Sequence, residues 1–115
     1  MHERPLRILI VDDHPIVRDG LNAVLSTQPD FSVVGFAGDG TEALRQIPST
    51  NPDVVLVDLE MPGLDGVGLL RALQDMVDAP SALVFTAFDT DERIIDAVRA
   101  GAKGYLLKGA PRAEL

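Results

Sequence analysis

The sequence contains no cysteine, few basic residues and no apolar run that approaches the length of a membrane span. The absence of cysteine excludes disulfides, thiol catalysis and cysteine-ligated zinc, and it fits a reducing cytoplasm. The ten lysines and arginines are scattered and are outnumbered by 18 acidic residues, so clustered contacts to nucleic-acid phosphates are not expected. The N-terminal MHERPLR leads into a strand-like segment rather than a signal-peptide core. At 115 residues, the chain is predicted to be one acidic, cytoplasmic domain with no membrane partner.

Short apolar runs alternate with helical patterns along the whole chain. The runs are residues 8–11, 31–37, 54–57, 82–85 and 104–107. Between them, apolar residues recur at helical spacing in three groups: Val17, Leu21 and Leu25; Leu70, Leu73 and Val77; and Ile94, Ile95 and Val98. This alternation predicts an α/β fold in which helices cover both faces of a central parallel sheet.

The end of the sequence differs from the rest of this pattern. After the fifth apolar run the chain reads KGAPRAEL, and Pro111 suits the first position of a helix. We therefore expect residues 1–115 to form one domain whose last helix begins but is not completed. One face of the sheet should then be short of cover, and the chain is expected to continue in a longer protein.

Polar side chains stand at the ends of four of the apolar runs. Asp12 and Asp13 follow the first run, Asp58 follows the third, and Thr86 and Lys108 follow the fourth and fifth. Because the carboxyl ends of parallel strands share one edge of a sheet, these groups should lie near one another. Close carboxylates repel each other, and a hard divalent cation such as Mg²⁺ relieves that repulsion through oxygen ligands.

Each of these residues also has an ordinary structural interpretation. A single Asp at a strand end is usually a cap or turn residue, and Lys108 or Thr86 alone would be an unremarkable surface or strand-end side chain. His14, beside the acidic pair, is a candidate for binding metal or relaying protons, but we favour local bonding in the first turn of a helix. The coincidence of all these groups on one predicted edge favours a site. A carboxylate nucleophile facing a cation, a hydroxyl and an ammonium group is what acyl phosphate formation requires.

Four segments of the sequence resemble the receiver domain of two-component response regulators. They are ILIVDDH (8–14), VVLVDLEMPGLDG (54–66), LVFTAF (83–88) and GAKGYLLKG (101–109), and the resemblance covers essentially the whole chain. It implies a flavodoxin-like, doubly wound five-stranded parallel sheet with strand order 2-1-3-4-5. His14-Pro15 and GYLLKGA resemble the subgroup that carries a C-terminal helix-turn-helix output domain, which the resemblance implies has been removed here.

The resemblance also implies a phosphoacceptor and a metal site. Asp58 would accept the phosphoryl group from a sensor histidine kinase. Asp13 and Asp58 would bind Mg²⁺, with the backbone carbonyl of Glu60 as a third ligand and Asp12 acting largely through water. The domain would then be a switch rather than a turnover enzyme.

The remaining implied roles concern the phosphoryl group and the signal that follows. Lys108 would pair with the phosphoryl group, while Thr86 and the backbone N–H of Ala87 would hydrogen-bond it. Tyr105 would be the switch aromatic that repacks when Thr86 moves, changing the face formed by the fourth helix, fifth strand and fifth helix. The implied partners are the kinase, the protein's own DNA-binding output domain, and a second copy in a homodimer on phosphorylation.

Two other functions explain the sequence less well. A Mg²⁺-dependent phosphatase or phosphotransferase with an aspartyl nucleophile commonly has a second Asp two residues after it, whereas Glu60 and His14 follow Asp58 and Asp12 at that spacing. A flavodoxin-like nucleotide binder would need a loop rich in glycine, serine or threonine after the first strand. The sequence there is DDHP, whose acidic groups repel a phosphate unless a metal intervenes.

Overall fold

The computed structural model describes residues 5–58, 66–86, 99 and 101–107, with the backbone alone for 66, 67, 86 and 104–107. Its elements in chain order are β1 (Leu6–Val11), α1 (Pro15–Leu25), β2 (Phe31–Ala37), α2 (Gly40–Thr50), β3 (Val54–Val57), α3 (Gly66–Gln74), β4 (Ser81–Thr86) and β5 (Gly104–Leu107). In the described residues, no helix is long and apolar enough to cross a membrane.

The five strands form one parallel sheet in the order β2-β1-β3-β4-β5. This order confirms the predicted doubly wound fold. The predicted bounds of β2, β3 and β5 are correct, and β4 extends one residue further at each end than its apolar run. β1 begins two residues earlier than predicted because Leu6 and Arg7 pair with the start of β2. Both residues are only partly buried, and Arg7 is polar.

Apolar residues on the two faces of the sheet form two clusters. The cluster under α2 and α3 is the larger, and its strand residues are buried: Leu9, Val11, Ala37, Val55, Val57, Ala82 and Val84. The cluster under α1 contains Ile8, Ile10, Leu21, Leu25 and Leu56. On that second face Val54, Leu83 and Phe85 are only partly buried. Apolar residues therefore run continuously along the central strands, because one face is buried and the other is at least partly covered.

The prediction that Val77 lies on the apolar face of a helix is wrong. α3 ends at Gln74, and Val77 is 88% exposed in the turn that follows. The chain turns after Gln74, and within that turn Asp78 adopts a left-handed backbone conformation with φ 57°. Met76 instead packs against the core, so the apolar face of the helix is extended by a turn residue one position earlier.

Two predictions fall on residues that lie outside the described part of the chain. These are the helical group Ile94, Ile95 and Val98, and the incomplete last helix within residues 108–115. Both stay predictions.

α2 is anchored at both ends by side chains. At its start the carboxylate of Asp39 accepts a hydrogen bond from the backbone N–H of Glu42 at 2.8 Å. At its end the guanidinium of Arg7 donates to the carbonyls of Thr50, at 2.6 and 3.0 Å, and of Asn51, at 3.2 Å. These carbonyls have no partner within the helix, and a cation also complements the negative end of the helix dipole. Arg7 thus ties β1 to the end of α2 that precedes β3.

Replacing Arg7 by methionine should lower the free energy of unfolding by about 1–2 kcal/mol, because charged hydrogen bonds to carbonyls are lost at a partly buried position. Arg45→Met, at an exposed position of α2, should change the free energy of unfolding by less than about 0.5 kcal/mol. Urea denaturation followed by circular dichroism measures both. Equal midpoints for the two variants would show that Arg7 does not stabilise α2.

Candidate functional site

The pairing of β1 with β3 brings two acidic residues together at the carboxyl edge of the sheet. Val11 and Val57 are register partners at the ends of these strands. The backbone hydrogen bonds continue one residue further: the N–H of Asp12 donates to Ala37 and that of Asp58 to Val11, each at 2.9 Å. Asp12 and Asp58 are therefore neighbours across adjacent strands, although 46 positions separate them in the sequence.

Both carboxylates are buried. Asp12 is 2% exposed and Asp58 is 3% exposed. Each follows an inward-facing residue of the α1 face, Ile10 or Leu56, by two positions, and side chains two apart in a strand point to the same face. Burying charged groups beside one another is costly unless positive charge or hydrogen bonds compensate. The edge of this sheet is thus arranged to receive a positively charged group.

Asp13 and His14 complete a cluster of four potential metal ligands. One ligand atom from each of Asp12, Asp13, His14 and Asp58 lies within 4.8 Å of all the others. The Asp13 side chain is 32% exposed, and its buried Oδ1 has no hydrogen bond within the described residues. Carboxylate oxygens so arranged are suited to a hard divalent cation such as Mg²⁺. The predicted convergence of the three carboxylates is confirmed by these distances.

The ordinary interpretation of Asp12 as a turn residue is also correct. Its Oδ1 accepts a hydrogen bond from the backbone N–H of His14 at 2.8 Å, which shapes the turn into α1. His14 is the N-cap of α1 and Pro15 occupies its first turn. The Nδ1 atom of His14 lies 2.9 Å from the same Oδ1, so the local bonding predicted for this histidine is confirmed.

Of the remaining predicted site residues, the structure describes the backbone of Thr86 and Tyr105. The backbone of Thr86 pairs with Leu107, the residue before Lys108, and that of Tyr105 pairs with Val84. These pairs put the ends of β4 and β5 side by side at the edge that carries the acidic cluster. Glu60, Ala87 and Lys108 lie outside the described residues.

The sequence did not predict that the side chain of His14 lies near that of Asp58, which follows β3. Its Nδ1 lies 3.8 Å from Oδ2 of Asp58 as well as 3.0 Å from Oδ1 of Asp13. The adjacency of His14 to Asp12 and Asp13 is visible in the sequence. The approach to Asp58 is not, because it depends on the pairing of β1 with β3.

Comparisons with known proteins agree on one family. The model of the response regulator receiver domain matches residues 8–115. The transcriptional regulatory protein LiaR of Bacillus subtilis is 41% identical over 110 residues, which are 96% of this chain and 52% of LiaR. The chain spans about half the length of the curated relatives it matches.

Solved structures show the same similarity. A two-component response regulator of the LuxR family from Aurantimonas sp. SI85-9A1 is 38% identical with a TM-score of 0.89, over 96% of this chain and 79% of that one. The complex of CheX with CheY, BeF₃⁻ and Mg²⁺ from Borrelia burgdorferi aligns at 27% identity with a TM-score of 0.87, over 96% of this chain and 83% of that one.

Replacing Asp13 by asparagine should raise the free energy of unfolding in the absence of Mg²⁺ and lower it, relative to the wild type, in the presence of Mg²⁺. Without it, the variant should be more stable than the wild type, by on the order of 1 kcal/mol, because one negative charge leaves a repelling cluster. With Mg²⁺ at 100 times its Kd, the wild type should gain about 2.7 kcal/mol, and the variant should gain much less. Thermal unfolding with and without MgCl₂ measures both effects.

Asp75→Asn is the matched control, since Asp75 is an exposed carboxylate just after α3. It should respond to Mg²⁺ as the wild type does. An Asp13→Asn variant that retains the full Mg²⁺ response would contradict the assignment of Asp13 to the metal site.

Proposed function

Because the chain belongs to the response regulator receiver domain family, we propose that Asp58 is its phosphoacceptor. Receiver domains of two-component systems take part in phosphoryl transfer and interact with histidine kinases, and this chain is such a signalling domain. The observation that supports Asp58 most directly is its position at the end of β3. There a buried carboxylate is adjacent to Asp12 and within the ligand cluster that also contains Asp13.

The proposed reaction transfers a phosphoryl group from a phosphorylated kinase histidine to Asp58. A carboxylate oxygen of Asp58 attacks the phosphorus atom, the new O–P bond forms, and the P–N bond to the donor imidazole breaks. The electron pair of that bond stays on the imidazole nitrogen, which then takes up a proton. The product is an acyl phosphate on Asp58. Since the domain is phosphorylated itself and releases no product of its own, we regard it as a switch rather than an enzyme.

The three carboxylates fit Mg²⁺, as receiver domains in general bind it at an acidic pocket. Asp13 and Asp58 would hold the ion directly, with the Glu60 backbone carbonyl as a third ligand and Asp12 acting largely through water. When bound, Mg²⁺ supplies positive charge that offsets the oxygens of the transferring phosphoryl group. The buried position of Asp12 and Asp58 strengthens this effect, because charges interact more strongly away from bulk water.

The strand ends beside the cluster would detect the phosphoryl group. Lys108 would pair with its oxygens, and the Thr86 hydroxyl and the Ala87 N–H would donate hydrogen bonds to them. Movement of Thr86 would free space for Tyr105 to repack. The paired backbones of β4 and β5 support this coupling, because they hold the segments that carry Thr86 and Tyr105 next to each other.

The output of the switch would be the control of transcription. LiaR is named as a transcriptional regulatory protein, and this chain matches only about half of its length. We therefore propose that a DNA-binding output domain, helix-turn-helix in type, follows the receiver in the whole protein, in the cytoplasm. A phosphorylation-dependent homodimer would bring two such output domains together. The acidic receiver itself, with net charge −8, would not contact the nucleic acid.

Incubation with acetyl phosphate and Mg²⁺ should add one phosphoryl group to the wild type and none to Asp58→Asn, because an amide is a poor nucleophile at phosphorus. Intact-mass spectrometry measures the adduct. Asp75→Asn should be phosphorylated like the wild type. An adduct on Asp58→Asn, or none on the wild type with any small-molecule donor or kinase, would refute Asp58 as the phosphoacceptor.

Replacing Lys108 by methionine should slow phosphorylation by about 10²-fold, because a positioned charge that stabilises the transition state is lost. Lys103→Met is the matched control. Lys103 is an exposed lysine just before β5, and its backbone bond to Ala82 does not depend on the side chain. The rate of adduct formation, followed by mass spectrometry over time, compares the two. Similar rates for both variants would remove Lys108 from the site.

A further inference from the structure

One member of the ligand cluster is a nitrogen. The Nδ1 atom of His14 lies 2.9 Å from Oδ1 of Asp12, 3.0 Å from Oδ1 of Asp13 and 3.8 Å from Oδ2 of Asp58. It therefore faces carboxylates from two strands at once. Mg²⁺ takes oxygen ligands almost exclusively and keeps several waters, so it leaves this nitrogen in its hydrogen-bond contact with Asp12. An ion that accepts nitrogen would replace that contact.

The spacing of these atoms matches that of ligands around one ion. Two ligands at right angles, each about 2.1 Å from a metal, lie about 3.0 Å apart, and two opposite ligands lie about 4.2 Å apart. The distances of 3.0 and 3.8 Å from His14 Nδ1 to Asp13 and Asp58 fall within this range, and the 2.9 Å to Asp12 lies just below it. An ion that accepts nitrogen could thus bind the imidazole and carboxylates together with small shifts of the side chains.

The position of His14 permits such shifts. Its backbone is held by the bond from its N–H to Asp12, which keeps the side chain at the mouth of the site. The side chain itself is 59% exposed, so its ring is accessible from solvent. Asp12 and Asp58, by contrast, are buried and directly follow β1 and β3, whose backbone bonds hold them. The cluster therefore combines fixed oxygens with one adjustable nitrogen.

We propose that His14 is an additional metal ligand of this site, used by borderline transition metals and not by Mg²⁺. Imidazole favours ions such as Co²⁺, Ni²⁺ and Zn²⁺, and carboxylate with water favours Mg²⁺. His14 would therefore set the metal preference of the pocket, raising its affinity for transition metals above that of an all-oxygen pocket. The inference rests on the proposed metal site, but it requires no phosphorylation.

Isothermal titration calorimetry with CoCl₂ and with MgCl₂ tests the proposal on the wild type and on His14→Ala. Loss of the imidazole should weaken Co²⁺ binding by about tenfold or more, since even indirect partners of metal ligands contribute 10–100-fold. Mg²⁺ binding should be unchanged. His2→Ala is the matched control, because His2 is the other of the two histidines and should affect neither ion.

Proton NMR provides a readout of ligation that is independent of affinity. Paramagnetic Co²⁺ bound to an imidazole should shift its ring protons far outside the normal range, and this signal should vanish in His14→Ala but persist in His2→Ala. Circular dichroism confirms that each variant is folded. His14→Asn serves as a second variant if the alanine variant does not fold.

The proposal is overturned if Co²⁺ affinity is the same in His14→Ala and wild type, or if the affinities for both ions fall or rise together. A joint rise would mean that the ring occupies the position of the cation instead of binding to it. Failure here is separate from failure of the proposed function. Normal phosphorylation with unchanged Co²⁺ binding refutes only the role of His14, whereas His14-dependent Co²⁺ binding without any phosphorylation refutes only the role of Asp58.

Discussion

The pairing of β1 with β3 is the constraint on which the rest of the structure depends. It pairs Val11 with Val57 and continues in the bond from the N–H of Asp58 to Val11, so that Asp12 and Asp58, which follow these strands, are buried side by side. Like charges this close repel each other, and a cation bound between them would relieve that repulsion. Under the proposed function, an ion that relieves this repulsion would stabilise the folded domain.

Contacts elsewhere in the fold stabilise the chain against this repulsion. Two apolar clusters bury the central strands on both faces, and the cluster under α2 and α3 is fully closed around β1, β3 and β4. At the opposite edge of the sheet, Arg7 satisfies the carbonyls at the end of α2 and its backbone N–H donates to the carboxylate of Asp53 just before β3. Stability is thus concentrated in the core and at the amino edge. The carboxyl edge is left to hold charged groups.

Much of this arrangement was predictable, and the errors have physical causes. The apolar runs of β2, β3 and β5 coincide with the segments that pair in the sheet, which is why the bounds of these strands were predicted to the residue. Leu6 and Arg7 were missed because backbone pairing, not side-chain hydropathy, extends β1 to them. Val77 fits the helical spacing, but α3 ends at Gln74 and Val77 is exposed in the turn that follows. Spacing records which positions are apolar, and it does not record where the backbone turns.

The sequence by itself determined the fold class, the edge at which the acidic residues gather and the family, because each follows from periodicity or from local motifs. Only the tertiary structure decided which atoms meet. His14 bonds locally to Asp12, as its position suggests, but it also approaches Asp58, 44 residues further along the chain. That contact exists because two strands pair in one register, and a shift of one residue would turn Asp58 to the other face of the sheet. Register is a property of the assembled sheet, so the donor set of the site could be read only from the fold.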